Sequence, residues 1–313
     1  MKITSTRLAT QADAQAIADV VNAHELSVDP ATSVMSAESA LDFMTGYVDP
    51  TVTHLLSMDG ESGFSALVNL HPDAVRARFF PDIYAMPHLT NVEDLALWTI
   101  ELAEAEQPNW PMWPGVNFLD SRLQAGWAEH GFESLRRYFT MRMPTSTVAS
   151  IRQVTDVQIR AIDISDPDHV ATWHALYQDS FSKHFGFAPR NLDKWRELIF
   201  GESSLDPNGV FVAFKNGIAV GYCQCNDEYA EEKKGQIASL GVAQEHQGTG
   251  IGEALLQVSI TYCAAKGYET VELSVDTGNE SGALKLYEKV GFTPESSWIQ
   301  MHRPGDNFPK QGG

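Results

Sequence analysis

The most informative stretch of this sequence is residues 240–256, which read LGVAQEHQGTGIGEALL. Glycines at positions 248, 250 and 252 stand between an apolar run and a segment with helical spacing of apolar residues. Glycine has no Cβ, so backbone N–H groups in such a turn can approach an anion closely. The N-terminus of the following helix adds unpaired donors and the positive end of its dipole. The stretch therefore predicts a cradle for a pyrophosphate group that needs no lysine.

The surrounding sequence alternates strand-like and helix-like segments. Asn216-Gly217 lies between two β-branched runs and predicts a hairpin with a tight turn, and Gly267 predicts the end of the helix that follows the cradle. The predicted order is strands at 210–215 and 218–225, a polar loop at 226–235, a strand at 236–242, a helix at 250–265, a strand at 270–275 and a helix at 281–290. This alternation predicts an α/β fold with a sheet flanked by helices.

Two other phosphate-binding folds compete for the same glycines. In a dinucleotide-binding Rossmann domain the turn follows the first strand, whereas here it follows at least the third predicted strand of its half. A P-loop ends in Gly-Lys followed by Ser or Thr, which residues 247–252 lack. Both folds are disfavoured, and a turn that merely packs a helix on a strand stays open as the structural alternative.

The chain contains an internal repeat with a constant offset. Residues 123–132 (LQAGWAEHGF) align with residues 283–292 (ALKLYEKVGF). Earlier elements recur in the same order: an amphipathic segment, then two apolar strands joined by a turn dipeptide. That dipeptide is Asp59-Gly60 in the first half and Asn216-Gly217 in the second. We therefore predict a tandem duplication.

Length and composition suit two folded domains. We place them at 1–147 and 148–313, with a linker near 144–155. Lys plus Arg number 22 against 41 Asp plus Glu, which gives a formal charge of −19 and disfavours nucleic acid and anionic membranes as partners. The sequence shows no apolar leader and no long apolar run, so a cytoplasmic protein without membrane association is expected. Three cysteines without a CxxC pair predict neither a disulfide framework nor a structural metal site.

The order of these elements resembles the GNAT superfamily of acyl-CoA-dependent N-acyltransferases. The motifs that carry the resemblance are Gln247-x-x-Gly250-x-Gly252, then Asn279, then the stretch LYEKVGF at residues 286–292. The resemblance covers residues 210–304 well and the rest by topology. A tandem pair of such domains is also similar to the mycothiol synthase family. The implied fold class is α/β with two tandem GNAT-like domains, each a mixed central sheet flanked by helices.

The resemblance implies a set of contacts to acetyl-CoA, the expected co-substrate, and no metal. In the family, the strand before the cradle separates from its neighbour, and its backbone pairs with the pantetheine arm. The matching residues are Leu240, Gly241 and Val242. Backbone amides would hold the pyrophosphate at Gln247, Gly248, Thr249, Gly250, Ile251 and Gly252. Asn279 and Ser281 stand where the family contacts the pantetheine.

Tyr287 matches the position of the family's usual general acid. Its hydroxyl would donate a proton to the departing thiolate, for which it need only lie within hydrogen-bond reach of the sulfur. Periodicity alone favours a core tyrosine on an apolar helix face, and the surrounding motif favours the catalytic role. A strand N–H that polarises the thioester carbonyl would supply the electrostatic part of the catalysis.

The general base is not identified by the sequence. Many family members carry a glutamate on the strand before the cradle, but that strand contains no carboxylate here. Asp179, His184, Glu228 and Glu272 are the candidates, acting directly or through water. Glu228 and His184 are also our predicted acceptor-binding residues, because an acidic rim would attract a cationic amine. An ordinary surface or packing role competes for each of them.

The first half of the chain lacks the cradle. Its strand at 76–85 is followed by no glycine before a helix that begins near Asn91, and Glu93 and Asp94 would repel a pyrophosphate. Trp127 stands where the second half has Tyr287, and an indole cannot serve as a phenolic acid. We therefore predict that the N-terminal domain is degenerate and catalytically silent.

These observations lead to one principal function and two alternatives. The principal one is an N-acetyltransferase that moves an acetyl group from acetyl-CoA to the amine of a small molecule by direct attack in the C-terminal domain. The first alternative is the mycothiol-synthase-like acetylation of a cysteinyl amine. The second is a non-catalytic acyl-CoA sensor.

Overall fold

Apart from the side chains of residues 42–45, the computed structural model describes residues 3–32, 34–45, 52–59, 63–148, 150–201, 204–279 and 281–305. The chain divides into two compact units. We call Met1–Tyr138 with Ser297–Phe308 the N-terminal unit, and Phe139–Ser296 with Pro309–Gly313 the C-terminal unit. In the described part of the chain, no helix has the length and apolar character that a membrane span requires.

The N-terminal unit packs helices on both faces of an antiparallel sheet with strand order β1-β2-β3-β4. Leu55 and Leu67 belong to the core beneath α1, and their neighbours Leu56 and Val68 belong to the core beneath α3, as the alternation of side chains along a strand requires. The elements are β1 (Ile3–Leu8), α1 (Ala14–Val28), α2 (Ala37–Thr45), β2 (Thr53–Met58), β3 (Ala66–Asp73), β4 (Arg78–Ala85), α3 (Val92–Glu106), β5 (Gly115–Asn117), α4 (Ser121–Ala128) and the first part of β6 (Glu133–Pro144).

The C-terminal unit has a mixed sheet in which the last part of β6 is followed by β11, β10, β9, β8 and β7. Cys223 and Cys225 of β9 face the core beneath α7, and Tyr222 faces the core beneath α5. The elements are β7 (Val157–Ala161), α5 (Pro167–Phe181), α6 (Leu192–Gly201), β8 (Leu205–Lys215), β9 (Ile218–Tyr229), β10 (Lys234–Val242), α7 (Ile251–Ala265), β11 (Thr270–Asp276), α8 (Ala283–Val290) and β12 (Thr293–His302).

Two strands run from one unit into the other. The end of β6 contributes Met141 and Met143 to the core of the C-terminal unit. The end of β12 contributes Ile299 and Met301 to the core of the N-terminal unit, where Ile299 pairs with Val116 of β5. The N-terminal unit therefore depends on a segment from near the C-terminal end of the chain. The domain boundary between residues 147 and 148 stays a prediction.

The predicted duplication is visible in the ends of α4 and α8. Gly131 and Gly291 follow these helices with φ angles of +82° and +117°, the left-handed conformation that closes a helix. The N–H of Phe132 donates to the carbonyl of Trp127, and the N–H of Phe292 donates to that of Tyr287, at 3.2 and 3.0 Å. The same local geometry at both sites supports the tandem architecture.

The hairpin prediction for the C-terminal unit is confirmed. Asn216 and Gly217 have φ angles of +50° and +82°, so both positions are left-handed, as a two-residue turn requires. In the N-terminal unit β2 pairs antiparallel with β3, but residues 59–65 connect them, which is longer than the predicted Asp59-Gly60 turn. Gly60 itself lies outside the described residues.

The predicted polar loop at 226–235 is wrong. β9 continues to Tyr229, residues 230–232 form one 3-10 turn, and β10 begins at Lys234. Pairing between the two strands extends to Lys234 and Tyr229, and Asn226 is buried. Sheet pairing has overridden the polar composition of this segment.

Candidate active site

Strands β10 and β11 separate along their length. They pair in parallel at only three positions, from Lys234 with Thr270 to Gln236 with Glu272. Beyond Gln236, the described residues give β10 no register partner on β11. Leu240, Gly241 and Val242 pair with β9 on their other side. Their edge toward β11 therefore leaves backbone donors and acceptors for an extended ligand.

The predicted cradle follows directly at the end of β10. Gly248 and Gly250 have φ angles of +74° and +91°, and Gly250 is the N-cap of α7. Because they precede or begin the helix, the N–H groups from Gly248 to Gly252 have no backbone acceptor among the described residues. The Ile251 side chain packs into the core, so only its backbone N–H can contact an anion in the turn.

Two side chains stabilise this turn by hydrogen bonds to its own backbone carbonyls. The amide of Gln247 donates to the carbonyl of Val242 at 3.1 Å, and the Thr249 hydroxyl donates to the carbonyl of His246 at 2.6 Å. Both residues are exposed. The side chains thus hold the shape of the turn, and the backbone amides are left for an anion.

Sequence reasoning missed a cation at the cradle, Arg152. A Cβ added to Gly250 would meet Arg152 Nε at 2.4 Å, so the guanidinium lies against the bare backbone of the turn. Arg152 Nη1 contacts Glu253 Oε2 at 2.6 Å, and the Arg152 N–H donates to Gln257 at 2.7 Å. Lys289 also contacts Glu253, at 2.7 Å. Two cations and one carboxylate therefore leave a net positive charge at the helix N-terminus.

Tyr287 is buried on α8 and packs in the core that contains Cys223 and Leu240, which are register partners on β9 and β10. Its ring meets Phe292 edge-on at 6.0 Å. Burial, with a smaller contribution from Cys223, raises the pKa of the Tyr287 hydroxyl well above its usual range. Tyr287 therefore keeps its proton at neutral pH, as a general acid must.

A β-bulge lies midway along β10. Ile237 and Ser239 pair with the consecutive residues Cys225 and Gln224, so Ala238 is an extra residue. At the bulge, the backbone of Ala238 leaves the regular hydrogen-bond ladder between β10 and β9. Beside it, the hydroxyls of Ser239 and Tyr222 lie 2.5 Å apart.

Gly241 has a packing reason to be glycine. A Cβ there would lie 2.2 Å from Ser180 Oγ of α5 and 2.7 Å from Tyr222 Cε1. The close approach of α5 to β10 therefore requires a residue without a side chain.

Asn279 and Ser281 lie in the loop between β11 and α8. The Ser281 N–H donates to Asn279 Oδ1 at 2.9 Å, which forms a local turn. Among the described residues, the Asn279 Nδ2 donors have no acceptor at the carboxyl end of β11. The helix begins at Ala283 after a left-handed Gly282, slightly later than predicted.

Three of the four candidate bases already have structural partners. Glu228 is exposed and accepts from Gln236 at 2.8 Å. Glu272 is buried between Arg142 and Lys234, at 3.2 Å from each. Asp179 accepts from the Gln244 N–H at 3.1 Å and so anchors the start of the cradle loop.

His184 differs from these carboxylates. It follows α5, is half-buried, and packs against Phe181 with ring centroids 4.4 Å apart. Burial lowers its pKa below the usual range, although Asp276 at the end of β11 acts in the opposite direction. His184 is therefore neutral at neutral pH and able to accept a proton.

An aromatic cluster adjoins His184. Trp173 and Trp195 meet edge-on at 4.8 Å, and Tyr177 stacks on Phe181 at 5.2 Å. The two tryptophans are fully buried and belong to the core, as the sequence favoured. The ring of Tyr177 is half-buried, so part of this cluster reaches the surface near His184.

The corresponding region of the N-terminal unit is closed by its own side chains. Arg122 Nη1 donates to the carbonyls of Met86 and Leu89 at 3.1 and 2.9 Å, and its Nη2 donates to that of Ala85 at 3.1 Å. His24 Nδ1 lies 3.3 Å from the N–H of Ala85. The carbonyl groups that follow β4 are thus satisfied by a guanidinium of the protein itself.

Comparison with known proteins agrees with this geometry. Residues 170–292 match the model of the Acetyltransferase (GNAT) family. Among curated proteins, the chain is 29% identical to the mycothiol acetyltransferase of Streptomyces griseus over 53% of its length, and the aligned part spans only 57% of that relative. It is 26% identical to the mycothiol acetyltransferase of Sanguibacter keddieii over 95% of each chain.

A solved structure extends the likeness to the whole fold. The tandem GNAT protein from the clavulanic acid biosynthesis pathway superposes with a TM-score of 0.70 at 14% identity, over 96% of this chain and 98% of that chain. No group of three metal-ligating side chains occurs among the described residues. Residues 170–292 therefore match the GNAT acetyltransferase family, and the fold of the whole chain is similar to that of a tandem GNAT protein.

Proposed function

We propose that the C-terminal unit transfers an acetyl group from acetyl-CoA to the amine of a small molecule by direct attack. The observation that carries this proposal is the separation of β10 from β11, which leads into a left-handed glycine turn at the N-terminus of α7. An extended chain that ends in a diphosphate fits this succession of an open strand edge and free amides.

The residues present fit acetyl-CoA, which supplies an activated acyl group as its thioester. The edge of Leu240, Gly241 and Val242 would bind the pantetheine, with Asn279 and Ser281 nearby. The amides from Gln247 to Gly252 would bind the phosphates, and Arg152 would add a charge-assisted contact. The bulge at Ala238 offers a strand N–H for the acyl oxygen.

Two side chains would manage the protons. Tyr287 holds a proton that burial prevents it from losing, so it serves as the acid for the leaving thiolate. His184 is the candidate base because it is neutral and, unlike Glu272 and Asp179, makes no side-chain hydrogen bond or ion pair among the described residues. It would remove the proton from the acceptor ammonium, directly or through water.

The acceptor is proposed to be a small amine that passes beside the half-buried rings of Tyr177 and Phe181. A cysteinyl amine is the first to test, because a relative that aligns over 95% of its length is named a mycothiol acetyltransferase. Glu228 at the end of β9 is exposed and could attract such a cation.

The test is the release of CoA thiol from acetyl-CoA with a panel of amines, compared between the wild type and Tyr287→Phe. We expect a cysteinyl amine to accelerate release, and Tyr287→Phe to lower kcat by about 10²- to 10⁴-fold with unchanged acetyl-CoA affinity. Tyr268→Phe is the matched control, since that hydroxyl contacts Asp227 instead. Binding of acetyl-CoA without acceleration by any amine would favour a sensor over an enzyme.

A further inference from the structure

The N-terminal unit contains a polar cleft under α1. Asp82 and Tyr84 alternate along β4 and so point to the same face, where His24 of α1 meets Tyr84 edge-on at 5.5 Å. Glu25 of α1 completes the lining and accepts a hydrogen bond from Asn117 of β5. Asp82, Tyr84, Glu25 and Asn117 are half-buried, so the cleft stays open to solvent.

Two carboxyl groups share this cleft, and the described residues pair neither of them with a cation. Burial and the neighbouring Glu25 raise the pKa of Asp82 to about 7. Burial also raises the pKa of Glu25, with Asp120 and Asp29 adding repulsion. The described residues give Asp82 no hydrogen bond or ion pair.

The nearby basic side chains, Arg122 and His24, make their contacts with groups other than Asp82 and Glu25. The Arg122 guanidinium donates to the carbonyls of Ala85, Met86 and Leu89. His24 Nε2 faces Asp120 Oδ2 at 3.4 Å, but burial lowers the pKa of His24, so it carries no charge at neutral pH. Neither of these two basic groups therefore neutralises the acids of the cleft in the part of the chain that the structure describes.

A second feature of the cleft is independent of these acids. Asn69 of β3 lies directly opposite Asp82 in the antiparallel ladder, and Thr53 of β2 lies directly opposite Asn69. Register partners share a face, so the three side chains form a row toward Asp82. Asn69 is 1% exposed and Thr53 is fully buried, yet the described residues give no hydrogen-bond partner to either side-chain amide atom of Asn69 or to the Thr53 hydroxyl. Such unsatisfied groups are costly and call for a polar partner.

We propose that this cleft of the N-terminal unit binds a small primary amine, as its ammonium ion, between Asp82 and Glu25, with Asn69 contributing from beneath. An ammonium has three donors, which match two carboxylates and an amide oxygen. An anion would be repelled by the two carboxyl groups. The cleft shares no residue with the cradle, and its proposed role does not depend on the proposed acetyl transfer.

The site has a defined pH dependence. A bound ammonium stabilises the ionised form of Asp82. At low pH the Asp82 carboxyl group is protonated, so binding must first remove that proton. Affinity therefore increases as pH rises through about 7, while the amine keeps its charge. The other groups facing Asp82 are Glu25, whose pKa burial also raises, and the Tyr84 hydroxyl, whose pKa lies well above its usual range.

The experiment is an NMR titration of the full-length protein with ethanolamine, followed through the side-chain amide of Asn69. That signal is identified by its loss in Asn69→Ser. We expect a saturable shift with ethanolamine, none with the uncharged analogue ethylene glycol, and tighter binding at pH 8 than at pH 6. Asp82→Asn should raise the Kd at least tenfold, which corresponds to about 1.4 kcal/mol of binding free energy.

Two further variants keep the test decisive. Glu104→Gln on α3 removes an exposed carboxylate of the same unit and should leave the titration unchanged. Glu25→Gln removes the other carboxyl of the cleft and serves if Asp82→Asn fails to fold by near-UV circular dichroism. The proposal is overturned if no saturable shift appears, if ethylene glycol shifts the signal equally, or if neither cleft variant weakens binding.

Discussion

Arg152 adds a positive charge to a cradle that otherwise consists of backbone amides. It precedes the segment 170–292 matched by the family model, yet its guanidinium lies on Gly250 and is held there by Glu253. A −19 protein thus places a cation where phosphates are expected. Backbone amides remain the main donors, and Arg152 adds charge.

Replacing Arg152 with Gln should weaken CoA binding by about tenfold, and the loss should shrink at high salt because a charge contact is removed. Affinities for CoA, dephospho-CoA and pantetheine, measured by calorimetry, check this. A diphosphate contact predicts equal losses for the first two and none for pantetheine. Arg160→Gln, which removes a cation stacked on Phe214, is the control. Unchanged CoA affinity in Arg152→Gln would contradict the assignment.

His184 should determine the acid limb of the pH–rate profile. Burial lowers the pKa of His184 below the ordinary histidine value near 6.5. Protonation blocks its role as a base, so the rate should fall only when the pH drops below that value. His184→Gln should lower kcat and remove that limb. His169→Gln at the other end of α5 should keep it. A profile unaltered by His184→Gln would exclude this residue as the base.

Among the elements, α7 offers an internal comparison because left-handed glycines lie at both ends. Gly250 and Gly267 have φ angles of +91° and +90°. Alanine at either position costs about 1–2 kcal/mol of stability. Only Gly250 adjoins the cradle and Arg152, whereas a Cβ at Gly267 meets nothing within 4 Å.

Gly250→Ala should therefore abolish most acetyl-CoA affinity, and Gly267→Ala should lose stability alone. Calorimetric titration with acetyl-CoA and thermal unfolding measure the two effects separately. If both variants bind the cofactor equally well, the cradle is not its phosphate site.

The positions at which strands end depend more on cross-strand pairing than on the local amino-acid composition. Residues 226–229 are polar and read as a loop, but a cross-strand partner keeps them in β9. The predicted hairpin at Asn216-Gly217 succeeded because a left-handed dipeptide turn is a local property. Pairing partners far away in the sequence carry no comparable local signal.

In the molecule as a whole, the last strand of the chain supports the N-terminal unit. Ile299 is 5% exposed and lies in the N-terminal core, although only 14 residues follow it in the 313-residue chain. Truncations between the predicted domains would therefore remove core residues from the unit they aim to isolate.

Ile299→Ala should cost about 2–5 kcal/mol and destabilise the N-terminal unit. Hydrogen exchange followed by mass spectrometry should show faster exchange in β2, β3 and α3, with acetyl-CoA affinity retained. Ile260→Ala, a fully buried change in α7, should instead accelerate exchange in the C-terminal unit. The same exchange pattern for both variants would argue against separate cores.

Local sequence specifies several features of this protein: the glycine cradle, the helix that follows it, the tight hairpin and the duplicated Gly-Phe helix ends. These depend on φ angles and side-chain spacing within a few residues. Only the tertiary structure placed Arg152 on Gly250, drew Asn69 and Asp82 together, engaged Glu272 with Lys234, and passed β6 and β12 between units. Such arrangements arise from the register and packing of distant segments, for which a single sequence carries no periodic signal.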